Sequence, residues 1–239
     1  AALSVPKDNT LTITDQSTGT LSAKGGMYID SRNTTVYGAG IGGSQHYYWG
    51  VDAGTIIING GVIDAYGNSY AQDIGSGGTV SINGGVVRAG NSRLEGSVQK
   101  NNCLVFLGNA GTVYGNCVLK HDYTNNRNVT IGAETSLTIN ADVTLTNTGT
   151  ITIEEGGTLI NNGTFTGNKI RPSLSLSESS GSTSYRGNNL TFTYTYNGDG
   201  NISVKSSNEN VIKASVNAGT KTVTVSPVGG GSATVTVSA

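Results

Sequence analysis

Apolar and polar positions alternate with a period of two in a stretch that the chain says twice. GTIIINGGVIDAYG begins at Gly54 and GTVSINGGVVRAG at Gly78, an offset of 24 residues. Each copy holds two short β-prone runs around Asn-Gly-Gly, which predicts strand, tight turn, strand. Parity sets Ile56 and Ile58, then Val80 and Ile82, on one face, and Ile57 and Ser81 on the other. After the turn, Ile63 and Ala65 correspond to Val87 and Ala89, which leaves Asp64 and Arg88 outward at equal register. Stacked coils lie about 4.8 Å apart, so this acid and base can pair, more plainly as a solvated ion pair than as a catalytic acid with a neighbour. A unit of this size cannot bury its apolar face alone. Stacking successive copies does so, and the pattern predicts a right-handed parallel β-helix.

The alternation extends in both directions. After a short leader, Leu11, Ile13 and Leu21 mark a first, capping coil. Strands begin near Val105 and Val113, and regular spacing returns in Leu137/Ile139, Val143/Leu145, Ile151/Ile153 and Leu159, each alternating with outward Thr. The corner Asn161-Asn162-Gly163 repeats the Asn-Gly logic, both residue types tolerating a positive φ. Ile41-Gly42 matches Ile74-Gly75, yet Gly54 lies 13 positions beyond Ile41 and Gly78 only 4 beyond Ile74. The earlier coil therefore carries an insertion of 9 residues around SQHYYWGVD. Insertions in solenoids become loops on one face, frequently the binding face. A new rhythm starts at Pro172, with β runs and turn signals every eight to twelve residues, as in a small antiparallel sandwich. Leu190, Phe192, Tyr194 and Tyr196 share one parity, and Asn197-Gly198-Asp199-Gly200 supplies a hairpin turn.

Within that last region, ISVKSSNENVIKASV and GGGSATVTVSA resemble the strand signature and closing strand of bacterial immunoglobulin-like modules, group 2, over residues 172–239. The chain departs from that pattern in having Val204-Lys205 where a Trp usually precedes Ser-Ser. YGAGIGG with TIIINGGVIDAYG, and later GTLINNGTFTG, resemble the β-helical repeat regions of large adhesin-like surface proteins of host-associated bacteria, over residues 11–170. Together the resemblances imply an all-β chain, a parallel β-helix over 1–170 followed by an immunoglobulin-like β-sandwich over 171–239, exposed at a cell surface or secreted.

Composition narrows the partners. Charged residues make up 12% of the chain and the net charge is −1, with no basic run, which argues against nucleic acid. No apolar stretch approaches the ~18 residues that span a bilayer. The opening AALSVPKDNT lacks a charged n-region and an apolar h-region and reads as a mature or trimmed start. The expectation is a monomer with no cofactor. Cys103 and Cys117 sit in apolar runs, where a bridge and two buried free thiols are both open readings.

Candidate chemistry is sparse. Gly38-Ala39-Gly40-Ile41-Gly42-Gly43 satisfies the dinucleotide spacing, but SQHYYWG follows where a helix should begin, so a glycine-rich coil corner is the reading. NGDGN lacks the further acids of a calcium loop. His46 and His121 are the only histidines and have no metal-ligand spacing or Ser-Asp company. Asp52, Asp64, Asp73 and Asp122 are the acids to test for glycan cleavage, which needs two carboxyls about 5–9.5 Å apart. The repeat sets Asp64 beside Arg88 and Asp73 beside Gly40, so no acid pair emerges. Thr-x-Thr recurs, as at Thr144/Thr146 and Thr164/Thr166; a flat threonine ladder could bind ice, but irregular strand spacing is expected to break it. The expected ligand site is the inserted His46-Tyr47-Tyr48-Trp49, with Tyr66 and Tyr70 as companions, because aromatic rings stack on sugar C–H faces. The competing reading is that the loop folds down as a lid. The leading functional expectation is an adhesin or glycan-binding surface protein, its partner a host or bacterial glycan or a host surface protein; a β-helix polysaccharide lyase or glycoside hydrolase comes second and a structural stalk third.

Overall fold

The computed structural model describes residues 1–46, 50–68, 70–95, 98–172, 174–185, 187–196 and 201–238. Among them there is no helix, and the chain divides into two compact units, 1–170 and 171–239. Tyr47, Tyr48, Trp49 and the Asn197–Gly200 turn lie outside the described residues.

The first unit is a parallel β-solenoid. Leu3–Ser4, Ile41–Gly42 and Ile74–Gly75 form one wall, Thr10–Ile13, Thr55–Ile58, Thr79–Ile82 and Val98–Lys100 a second, and Thr20–Lys24, Val62–Tyr66, Val86–Ala89 and Cys103–Leu107 a third. The residues read as a leader thus belong to the solenoid: Leu3 pairs with Ile41, and Val5 is buried. The repeat stacks as its spacing predicts. Val80 and Ile82 lie over Ile56 and Ile58, all fully buried, and Asp64 lies beside Arg88. Each such Ile contributes roughly 1.5–3 kcal/mol by leaving water.

The expectation of one uninterrupted parallel β-helix is corrected at Gly108-Asn109. There Cys103–Leu107 turns back on Ala110–Tyr114 in an antiparallel pairing within this wall. Asn128–Ile131 and Thr150–Ile153 then continue the same sheet, parallel to Ala110–Tyr114. Leu104 and its partner Val113 face one hydrophobic cluster, with Val86, Phe106, Val129 and Ile131. Cys103 and Val105 face another, with Ile63, Val87, Ile58 and Ile82. One sheet therefore roofs two cores, one on each face, and the chain forms two lobes. The strand direction reverses at the same step at which the core changes face, and a chain running the other way past the other face circulates in the same sense. Both lobes wind with one hand.

The second lobe is completed by two more walls. Asn116–Leu119, Ser136–Ile139 and Thr158–Asn161 form one, and Tyr123–Asn125, Thr144–Asn147 and Thr164–Gly167 the other. Inside it, the buried Asn125 donates its amide to Asn147 at 2.9 Å, and Asn147 to the carbonyl of Asn168 at 3.0 Å, so the polar stack is satisfied coil to coil. The 161–163 corner works differently from the expectation: none of its residues has a positive φ, and Gly163 is needed because a Cβ would collide with the carbonyls of Asn140 and Val143.

Two insertions, not one, leave the first lobe. Sixteen residues separate Lys24 from Ile41 where 7 separate Tyr66 from Ile74, and 12 separate Gly42 from Thr55 where 3 separate Gly75 from Thr79. Each difference is 9, and the two insertions build one antiparallel sheet in the order Met27–Ile29, Thr35–Gly38, Ser44–His46, Gly50–Val51.

The second unit contains an antiparallel sheet, Leu174–Leu176, Leu190–Tyr196, Thr222–Pro227 and Ile212–Asn217 in spatial order, and an antiparallel pair, Ser203–Ser206 with Val235–Ser238. Side chains of both, among them Phe192, Val204, Val235 and Val237, pack around Tyr194, Val223 and Val225.

Candidate functional site

The change of face leaves a groove between the lobes, with a volume of about 430 Å³. Its first wall is the pair of Asn-Gly-Gly corners, Asn59–Gly61 and Asn83–Gly85, with Asp15 beside them. Gly61 and Gly85 take φ of 76° and 78°, and a Cβ on Gly85 would strike the carbonyl of Gly61, so only glycine lets these corners stack. Stacking aligns the asparagines. Asn83 donates to Asn59 at 3.0 Å, and Asn101 to Asn83 at 3.3 Å. Val62 and Val86 line the groove from the outer face of the first lobe's strands, Val62 half-buried and Val86 buried. Val118, Leu119, Lys120, His121 and Tyr123 of the second lobe form the opposite wall, and Asn102 accepts the Asn116 amide at 2.9 Å at one end. Lys120 Nζ meets Asp15 Oδ2 at 3.3 Å, an ion pair that joins the two walls.

Deeper between the lobes, Arg88 Nη1 lies 3.2 and 3.3 Å from the two Asp64 oxygens, and its guanidinium sits 4.7 Å from the Tyr66 ring centroid. Arg88 Nε is buried without a hydrogen-bond partner. Burial pushes the Tyr123 phenol up to about 12, Asp64 adding to the rise and Arg127 and Arg88 opposing it. At neutral pH that phenol keeps its proton and can both donate and accept.

The other acids are engaged separately. Asp73 is fully buried and accepts the Gly67 amide at 2.7 Å, the Asn91 amide at 2.8 Å, the Asn91 side chain at 2.9 Å and the Arg93 amide at 2.9 Å. Asp122 accepts the Thr144 amide at 2.7 Å, and Asp52 lies exposed beside Gly77. Among the described residues no two of these four acids share a partner.

The expected aromatic site is only partly in view. Tyr47, Tyr48 and Trp49 fall outside the described residues, and His46 is placed by its backbone at the end of Ser44–His46. Tyr66 and Tyr70 have different partners. The Tyr66 ring lies against Gly90 and Arg88, whereas Tyr70, 69% exposed, has its ring 4.8 Å from that of Tyr37 on the inserted sheet. The edge strand of that sheet exposes Met27, Tyr28 and Ile29. Tyr37 and Tyr28 lie in the insertion that the alignment on Ile41-Gly42 did not detect, and comparison of the spacing before that dipeptide would have found it.

Two further expectations are settled. Cys103 and Cys117 are free, buried in separate cores on opposite faces of the shared sheet, and burial pushes their thiols up to about 11 and about 12. The threonine pairs do not form one array: Thr144 and Thr146 stack on Thr164 and Thr166, with Thr124 in register and Thr166 donating to Thr146 at 3.2 Å, whereas Thr12 and the pair Thr150/Thr152 lie in other walls. That stack is three strands wide. No helix among the described residues is long and apolar enough to cross a membrane. No family model, curated protein or solved structure matches this chain.

Proposed function

We propose that the protein is a secreted or cell-surface glycan-binding protein of adhesin type, with the inter-lobe groove as its binding site and the second unit as an immunoglobulin-like spacer. The observation that carries the reading is the groove's make-up. Val62 and Val118 offer apolar surface to sugar C–H faces, while the Asn59–Asn83 ladder, Lys120, Asp15 and His121 converge on the same space with groups that bond hydroxyls. Its volume of about 430 Å³ falls within the range of small-ligand clefts. Binding is favoured over cleavage because the one carboxylate among the described lining residues, Asp15, is held by Lys120, whereas a glycosidase needs two carboxyls about 5–9.5 Å apart. The antiparallel sheets of the second unit around a common core support the spacer assignment.

The test is a panel of plant, mucin and bacterial polysaccharides, scored for binding and for new reducing or unsaturated ends. Wild type is expected to bind without releasing ends. Val118→Arg, which projects a bulky charge into the groove, abolishes binding, and Tyr70→Ala, on the inserted sheet, leaves it intact. Released ends, or binding indifferent to Val118→Arg, would refute the reading.

A further inference from the structure

We propose that the Asp15–Lys120 pair determines the groove's specificity, and that it recognises two neighbouring hydroxyls of an uncharged sugar. The inference rests on the groove being a glycan site. Asp15 and Lys120 stand 105 residues apart in sequence, on opposite walls, with Nζ and Oδ2 3.3 Å apart. Their side chains are 53% and 49% exposed, so the valences that the pair leaves open are accessible to a ligand. An ammonium carries three donors, of which Asp15 takes one; a carboxylate offers about four acceptor sites, and among the described residues Asp15 Oδ1 accepts nothing. A sugar hydroxyl both donates and accepts. Two hydroxyls on adjacent ring carbons can therefore donate a hydrogen bond to the carboxylate and accept one from the ammonium, and hydrogen bonds with an ionised partner are roughly twice as strong as neutral ones.

The charge balance selects among sugars. A paired acid and base bring no net charge to the groove. A uronic acid carboxylate that reaches the Lys120 ammonium lies beside the Asp15 carboxylate already held there, and like charges brought together discriminate against it. The Asn59 side-chain amide, at the end of the corner ladder, donates to no described residue and stands ready for a further hydroxyl. Because an exposed ion pair adds only about 0–1 kcal/mol to stability, removing either partner leaves the fold in place.

Calorimetric titration of the full chain decides the matter, with oligosaccharides of neutral hexoses and pentoses set against uronic acid oligosaccharides of equal length. Wild type is expected to bind a neutral series and to reject the acidic one. Asp15→Asn and Lys120→Met each lose at least about tenfold in affinity with the melting temperature unchanged, and the double variant loses little more than either single one, as expected for a pair that acts as a unit. If wild type binds neutral glycans and both variants bind as well, the pair assignment falls while the glycan reading stands. Preference for the acidic series overturns the assignment, as does a large fall in melting temperature in either variant, which would make the pair structural. Binding to neither series overturns both readings.

Discussion

Replacing Asp73 by Asn removes one charge and changes almost no volume, yet it should weaken the first unit severely. Four N–H groups converge on the Asp73 carboxylate, two per oxygen, at 2.7–2.9 Å, in a site closed to water. An amide keeps one acceptor oxygen and turns an NH₂ toward the other two donors. Two hydrogen bonds to a charged group are lost, at about 1.5–3 kcal/mol each, giving a total of about 3–6 kcal/mol. That is a large part of the ~5–15 kcal/mol that holds a typical domain together. At about 2–4 °C per kcal/mol for a unit of this size, the melting temperature should fall by about 6–24 °C. Urea unfolding followed by tyrosine fluorescence measures the loss, and Asn91→Ala in the same background reports the coupling, since it removes the Asn91 side-chain donor and keeps the backbone one. A loss below about 1 kcal/mol would show that these bonds exchange for water at little cost, and the account of the 67–73 corner would be wrong.

Leu104→Ala and Val105→Ala should both destabilise, by about 2–5 and about 1.5–2 kcal/mol, because neighbours in this strand face different cores; near-neutrality of either in denaturant unfolding contradicts a sheet buried on both faces. Cys103 and Cys117 should resist a thiol reagent in the native state and react together once the chain unfolds. Their raised values also set an alkaline limit: the unfolded thiols ionise first as the pH rises past about 9, so the stability due to keeping them protonated is complete below that pH and is lost on the way to about 11 and 12. Cys103→Ser/Cys117→Ser unfolding measured across that range should show a flatter decline than wild type, and an equal decline refutes the assignment.

What the sequence makes readable is whatever repeats at short range. The stacking of Ile58 with Ile82 and the Asp64–Arg88 pair follow from one offset of 24 and the parity of a strand. The reversal at Gly108-Asn109 does not, because the flanking runs give two strands in either topology. Its signature was nonetheless present in CLVFL: a strand buried on both faces cannot alternate, and four of its five residues are buried. The groove inherits the same difficulty. Asn59 and Lys120 meet only after the chain has changed sides of the sheet, so no local spacing brings them together. The inserted sheet is half readable, since the insertion after Gly42 interrupts a visible repeat, whereas Tyr37 lies in the insertion before Ile41, where the sequence shows no such repeat.

The hairpin between the lobes also bears on the order in which the molecule assembles. Cys103–Leu107 and Ala110–Tyr114 are joined by two residues, whereas Val86 and its neighbour Leu104 are 18 apart and Val129 and Ile151 are 22 apart. Loop-closure cost rises with the logarithm of length, so this pairing is favoured over its parallel neighbours by on the order of 2 kcal/mol before any side chain is buried. Early contacts are those of short sequence separation. The ribbon then offers Val105 to one side and Phe106 to the other, and coils add outward from it in both chain directions, each new strand finding an edge already in register. A kinetic study would see substitutions at the ribbon slow refolding and those at Ile13 or Ile153, in coils remote from it, speed unfolding.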